Sequence, residues 1–332
     1  MNLNLLWFAL LGVLLAGYAI LDGFDLGVGI LHRAARTDTE RRINLNAIGP
    51  LWDGNKVWLI TFGGAMFAAF PAAYASIFSG FYIALMLVLL ALILRAVAIE
   101  FRGKRKSTAW RSFWDGAFFT GSLMATLLFG VALGNVLIGI PIDANGTFVG
   151  SFFDLLRPYP VLIGLFTVSF TAMHGALYLY LKTEGALRQR IRQWIWRTLG
   201  CTTAFYTLVV VYTWVFVPSA TGWPWSLAAL IILAFVVILS AVYRNHPFVA
   251  FLASSLAIAA LIFMFSFALY PNLVISSISR EFNLNIVNAA SSQKTLGVMT
   301  IIAAVGVPIV LIYTAAIYRT FRGKVKLTDQ SY

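Results

Sequence analysis

Charge is scarce in this chain: of 332 residues only 11% are Asp, Glu, Lys or Arg, while 61% are hydrophobic. A soluble domain usually carries about 25% charged residues, so a water-solvated globule is excluded. Cysteine is scarcer still. The single Cys201 rules out a disulfide framework and a CxxC redox pair. His32, His174 and His246 are the three histidines, too few and too scattered for a multi-haem or haem–copper centre within one chain. CxxCH, P-loop and HExxH motifs are missing, as are low-complexity tracts.

Hydrocarbon is what the chain has in excess. Mean hydropathy is +0.87, and apolar runs of roughly twenty residues, the length that crosses a bilayer, recur from end to end. Nine membrane spans are expected, at about residues 5–31, 50–70, 76–99, 113–138, 160–181, 195–217, 225–243, 247–270 and 296–318. The expected fold is thus an all-α integral membrane protein, one polytopic domain over residues 1–332. The first span has no basic flank and no small-residue cleavage site, so it is not expected to be a cleaved signal.

The net charge of +12 would suit nucleic acid, but its placement argues for topology instead. Of 24 Lys and Arg, only Arg157, Arg280 and Lys294 fall on one side, in the loops after spans four and eight. Nearly all the others cluster opposite, in residues 33–42, 102–111, 182–197 and 319–326. Cytoplasmic loops carry this excess, which sets the N-terminus outside and the C-terminus inside. On the inner side, Thr37 stands three residues before Glu40, a capping-box spacing that starts a short surface helix.

Two aspartates interrupt the first span in "YAILDGFDLGVG", residues 18–29. Asp22 lies seventeen positions beyond Leu5, roughly 25 Å along a helix, which puts Asp22 and Asp25 in the inner half of the bilayer. Their spacing places both on one helical face, and a carboxylate there costs at least about 2.5–3.5 kcal/mol unless paired, protonated or hydrated. Span two opens at the same face with "GPLWDGNKVW", adding Asp53 and Lys56. One reading is a proton route; the other is structural ion pairing, with Asp53 and Lys56 an obvious pair. Gly23 and Gly27 form a GxxxG for close helix approach, and Gly63–Gly64 with Ala65, Ala68 and Ala69 suggest tight packing of span two. Arg95, Glu100 and Asp115 are expected as solvated or paired charges near inner helix ends. His32 and His246, beside Arg33 and Arg244, are expected in solvated positions. His174 lies within span five and is read as a hydrogen-bonded packing residue, haem ligation being the lesser alternative; its neighbour Met173 points about 100° away and cannot share an iron with it.

The stretches "GYAILDGFDLGVGIL", "TERRINLNAIGPLWDGNKVWLITFGGAMFAAFP" and "YASIFSGFYIALMLVLLALILRAVAIEFR" resemble subunit II of the cytochrome bd-type quinol oxidases, and "NAASSQKTLGVMTIIAAVGVPIVLIYTAAIYRTFRGKVK" resembles that family's C-terminal region. The resemblance runs end to end. It implies a heterodimeric translocase of the bacterial inner membrane that oxidises ubiquinol, reduces dioxygen to water and generates proton motive force. It further implies nine helices arranged as two four-helix bundles plus one peripheral helix. The b- and d-type (or b-only) haems and the principal quinol site would belong to the partner, subunit I, with this chain binding none alone, completing the haem environment and offering a path for protons or oxygen. Small single-helix subunits, quinone and phospholipid are further implied partners; nucleic acid is not. Asp22, Asp25 and Asp53 match the family's membrane acids, with Trp52, Asn55 and Trp58 in the same motif. Lys56 departs from the Glu or Gln often found after WDGN, and a cation there would pin Asp53. Compact length and short loops resemble the cyanide-insensitive branch. The rival functions are a stand-alone secondary transporter or ion channel using the membrane aspartates, and a purely structural membrane partner.

Overall fold

The structure is a computed structural model describing residues 2–217 and 225–327; Met1, residues 218–224 and the terminal residues 328–332, on which the expected placement of both chain ends partly rests, lie outside it. Eleven α-helices account for most of the described chain: α1 Leu3–Leu31, α2 Asp38–Ile48, α3 Trp52–Ala69, α4 Pro71–Gly80, α5 Tyr82–Phe101, α6 Thr108–Ile138, α7 Pro158–Lys182, α8 Gly185–Phe216, α9 Trp225–Tyr243, α10 Pro247–Leu269 and α11 Gln293–Thr320. Among the described residues, eight helices are long and apolar enough to cross a membrane. Of the nine expected spans, α3 is the one outside that set, because its first turn carries Trp52, Asp53, Asn55 and Lys56.

Two boundaries differ from expectation for local reasons. The third span is broken: α4 ends at Phe81, whose φ of −94° and ψ of 17° leave the helical well, and α5 restarts at Tyr82. The apolar run continues through the break, so hydropathy does not register it. α8 begins at Gly185, ten residues before the apolar run, because the basic segment ahead of it is itself helical. The short surface helix forms as expected: Thr37 Oγ1 accepts from the Glu40 amide at 3.2 Å, and Glu40 answers across the cap to form α2.

α1 packs against α3, α6, α7 and α10; α5 packs on α6, α6 on α7, α7 on α8, and α9 on α10. The closest approach is between α1 and α7, where a Cβ on Gly27 would strike the Thr171 carbonyl and stand 2.8 Å from Gly175 Cα. Gly23 is not part of that seam, since its Cβ would meet only His174 Cδ2 at 3.8 Å. The expected tight packing at Gly63 and Gly64 is not found: a Cβ on either meets nothing within 4 Å. Small residues in a span suit a neighbouring helix or lipid equally, and here the face is open.

At the end opposite the basic loops, residues 139–157 and 271–292 interlock. Ile140 N–H donates to the Ile275 carbonyl, Ser276 Oγ to the Ile142 carbonyl at 2.8 Å, and Ser76 Oγ to the Gly146 carbonyl. A two-stranded antiparallel ribbon, β1 Asn272–Val274 and β2 Leu284–Asn285, lies within the second loop. Ser291 then caps α3, donating from its N–H to the Ala69 carbonyl at 2.9 Å and from its hydroxyl to the Ala68 carbonyl at 2.6 Å.

Candidate functional site

From Asp22 to Gly29 every residue of α1 is buried, so this half of the helix turns no face to lipid and both acids are enclosed by protein. They face different neighbours. Asp22 Oδ1 lies 3.2 Å from Arg95 Nη1 on α5, and both side chains are 0% exposed. Asp25 Oδ2 accepts from Asn55 Nδ2 on α3 at 2.8 Å. Asn55 Oδ1 in turn accepts from the Tyr318 hydroxyl on α11 at 3.0 Å. Three helices thus converge on Asp25 through neutral groups, whereas Asp22 has a full counter-charge.

Polar capacity is left over on this surface. Asp22 Oδ2, Asp25 Oδ1, Tyr18 Oη, Arg95 Nε and Nη2, and Ser122 Oγ are buried without a hydrogen-bond partner among the described residues. Buried polar atoms are ordinarily satisfied by protein or by ordered water making two to four such bonds. Unsatisfied carboxylate oxygens and guanidinium nitrogens are thus buried along this half of α1 and the helices packed on it.

Beyond the C-terminal end of α1 lies a second cluster. Asp115 Oδ1 accepts from His32 Nε2 at 2.6 Å and Arg102 Nε at 2.5 Å, and Asp115 Oδ2 from Arg41 Nη1 at 3.1 Å. Arg102 and Arg111 both bind Asp38, at 2.7 and 3.0 Å, and Glu40 pairs with Arg190. His32 is fully buried, which corrects its expected solvated position: the Asp115 carboxylate compensates a burial that neighbouring basic residues alone would not predict. Asp115 is paired, as one of the two alternatives had it. His246 is exposed, and Glu100 is exposed near the end of α5.

Asp53 does not join the buried acids. It is exposed on the first turn of α3, and no ion pair joins it to Lys56 among the described residues. Lys56 instead lies over the Trp52 ring, 4.5 Å from its centroid, an attraction that an exposed carboxylate in water does not outcompete. Trp58 fills the notch that Gly17 leaves on α1, so the motif's second tryptophan packs the α1–α3 seam. Tyr318 is the residue that sequence reasoning missed; Arg95, expected as a solvated or paired charge, is paired, and with Asp22. Arg95 sits six residues before the end of α5, and an arginine that deep within an apolar run is itself the signal of a buried acid.

His174 is fully buried; its Nε2 lies 3.0 Å from the Ile20 carbonyl, its Nδ1 2.7 Å from Ser254 Oγ, and its ring stacks on Phe251. Nε2 has to donate to the carbonyl, and Nδ1 lies within hydrogen-bond distance of a hydroxyl that also reaches the Phe251 carbonyl at 2.8 Å. With both nitrogens engaged, His174 does not fit the role of an axial ligand, and a haem does not fit these residues. Among the described residues no three His, Cys, Asp or Glu side chains group as a metal site.

Residues 3–321 match the family described as cytochrome bd terminal oxidase subunit II. Cytochrome bd-I ubiquinol oxidase subunit 2 of Escherichia coli K12 is 38% identical, over 98% of this chain and 96% of that protein. Cytochrome bd ubiquinol oxidase subunit 2 of Bacillus subtilis is 35% identical, over 98% and 97%. Among solved structures, a chain of the bd oxidase from Geobacillus thermodenitrificans superposes with a TM-score of 0.79 over 97% of this chain and 99% of that one; at 18% identity this is a likeness of fold.

Proposed function

The chain belongs to the cytochrome bd terminal oxidase subunit II family, and from that membership we propose that it serves as the haem-free subunit of a quinol-oxidising, dioxygen-reducing complex, carrying protons towards its partner. It is a membrane-spanning subunit of a bacterial inner-membrane oxidoreductase that works with haems and quinol, alongside a subunit I. A stand-alone transporter or channel is not supported by these relatives. We infer that the haems and the oxygen chemistry belong to subunit I and that the complex is a translocase.

Nine spans, with α3 as the ninth, form two four-helix bundles in this reading. α1, α3, α5 and α6 make one, α7 to α10 the other, and α11 lies outside them. The packing of α1 on α3 and α6, and of α10 on α7 and α9, supports this grouping. So does α11, of whose apolar stretch only 6% is buried. The basic residues assign the ends of α1, α5, α6 and α8 that carry Arg33, Arg102, Arg111 and Arg188 to the cytoplasm.

The observation that carries the proton reading is the unequal environment of the two acids. Protonating Asp22 would strand the Arg95 charge in a buried site, so Asp22 fixes the local field. Asp25 has only neutral donors, and the Asn55 amide that holds Oδ2 cannot itself relay a proton. Oδ1, buried and without a protein partner, is the atom that takes up and releases the proton through water. Asp53, exposed at the cytoplasmic face, supplies protons from solvent.

Asn is nearly isosteric with Asp but releases no proton at neutral pH. In the purified complex, Asp25→Asn should slow quinol-driven oxygen consumption by about 100-fold or more, the range of positioned proton transfers, with haem absorbance per complex unchanged. Undiminished turnover would sink the proton role. Loss of haem or of the partner would assign Asp25 to assembly instead.

A further inference from the structure

Antiparallel helices α8 and α9 touch near their outer ends, where the Tyr206 hydroxyl donates to the Ala228 carbonyl at 3.2 Å, and at their basic ends, where Arg192 Nη2 donates to the Tyr243 carbonyl at 3.2 Å. Between these contacts lies an open groove of about 450 Å³, lined chiefly by Trp196, Gly200, Thr203, Ala204 and Thr207 of α8 and Leu239 of α9. Its two threonines do not make it polar. Thr203 Oγ1 donates to the Leu199 carbonyl at 2.9 Å and Thr207 Oγ1 to the Thr203 carbonyl at 3.0 Å, so each hydroxyl proton is spent on its own helix. The wall has no hydroxyl donor left for a polar ligand.

Length and charge then select the occupant. Trp196 and Thr207 are eleven residues apart, roughly 16 Å along the helix, which is about half of a ~30 Å hydrocarbon layer. The groove is therefore one leaflet deep and begins at the basic end. Three arginines stand at that end: Arg192 on α8, Arg197 one residue beyond Trp196, and Arg244 directly after α9. Arg197 and Arg244 are exposed, and no carboxylate pairs with any of the three among the described residues. The Arg192 Nε is buried without a hydrogen-bond partner. An acyl-chain-length apolar slot ending at three uncompensated guanidinium groups is complementary to a lipid whose headgroup carries net negative charge.

We propose that the α8–α9 groove is a binding site for one anionic phospholipid, with an acyl chain along Gly200, Ala204 and Leu239 and the phosphate at Arg197 and Arg244. The floor at Gly200 is open, since a Cβ there meets nothing within 4 Å, so a larger side chain would occupy the slot without displacing protein.

The test is native mass spectrometry of the intact oxidase complex released from nanodiscs of equal phosphatidylglycerol and phosphatidylcholine. The wild-type complex should retain phosphatidylglycerol preferentially. Arg197→Gln with Arg244→Gln should weaken that retention roughly 30-fold, about fivefold for each surface charge removed, and Gly200→Phe should abolish it with both arginines intact. The arginine variants change only exposed side chains, so the assembled complex remains available for measurement. Equal retention of the two lipids, or retention unchanged in the variants, would overturn the site. Co-purification of a small single-helix polypeptide that excludes lipid from this groove would overturn it as well.

Discussion

Replacing Asp22 by Asn removes the charge opposite Arg95 while keeping shape. The two side chains are 3.2 Å apart and 0% exposed. At that separation, with an effective dielectric constant of about 20, their attraction is ~5 kcal/mol. The Nε and Nη2 atoms of Arg95 have no hydrogen-bond partner among the described residues, and the Phe118 ring, 5.9 Å from the guanidinium carbon, contributes at most about 1–2 kcal/mol. Asp22→Asn should therefore destabilise the protein by about 3–5 kcal/mol, the usual result of leaving one member of a buried pair alone. The double variant Asp22→Asn, Arg95→Met removes both charges and should recover most of that loss, because a buried pair replaced by apolar groups is often neutral or better. Unfolding of the four members of this cycle in graded denaturing detergent, followed by circular dichroism, gives the coupling energy directly. If Asp22→Asn is as stable as wild type, or if its effect simply adds to that of Arg95→Met, Asp22 and Arg95 are not a dehydrated pair, and the contrast drawn with Asp25 fails.

Gly27→Ala should cost about 1–3 kcal/mol by overpacking the α1–α7 seam, whereas Gly63→Ala should stay within about 0.5 kcal/mol in the chain without its partner; the same unfolding assay compares them. In the loop between α6 and α7, the Ser151 amide, donating at 2.7 Å, together with the Ser151 hydroxyl holds the Asp154 carboxyl below its usual range. A lowered folded value means this turn is stabilised above the ordinary carboxylate pKa of about 3.9 and loses that support as pH falls through the lower value. Amide exchange of residues 151–157 should accordingly be insensitive to pH above 5, after correction for intrinsic rates, and quicken in more acidic buffer. A reporter fused after Tyr332 should read as cytoplasmic and one fused ahead of Met1 as periplasmic; the opposite readings would mean that the basic loops do not set the orientation.

Eight of the nine expected spans were legible because crossing a bilayer imposes a length and a composition that no soluble element shares. The placement of Asp22 and Asp25 on one buried face was legible from their spacing. Their partners were not. Arg95 is 73 positions from Asp22, and Tyr318 is 263 from Asn55, and periodicity within one helix carries no information about which neighbour it meets. Asp53 and Lys56 misled for the converse reason: adjacency on a helix permits an ion pair, but the Trp52 face offered Lys56 another position. The break at Phe81 and the open face at Gly63–Gly64 escaped because hydropathy counts apolar atoms without asking what they touch.

The capping of α3 by Ser291 has a bearing on how the chain is made. Ala68 and its donor are separated by 223 positions, so the helix is synthesised long before the group that completes its C-terminal end. Until the loop carrying Ser291 is in place, the Ala68 and Ala69 carbonyls must be served by water or by a transient partner. A nascent chain arrested ahead of that loop therefore exposes an unfinished helix end, together with the unclosed strand ribbon beside it.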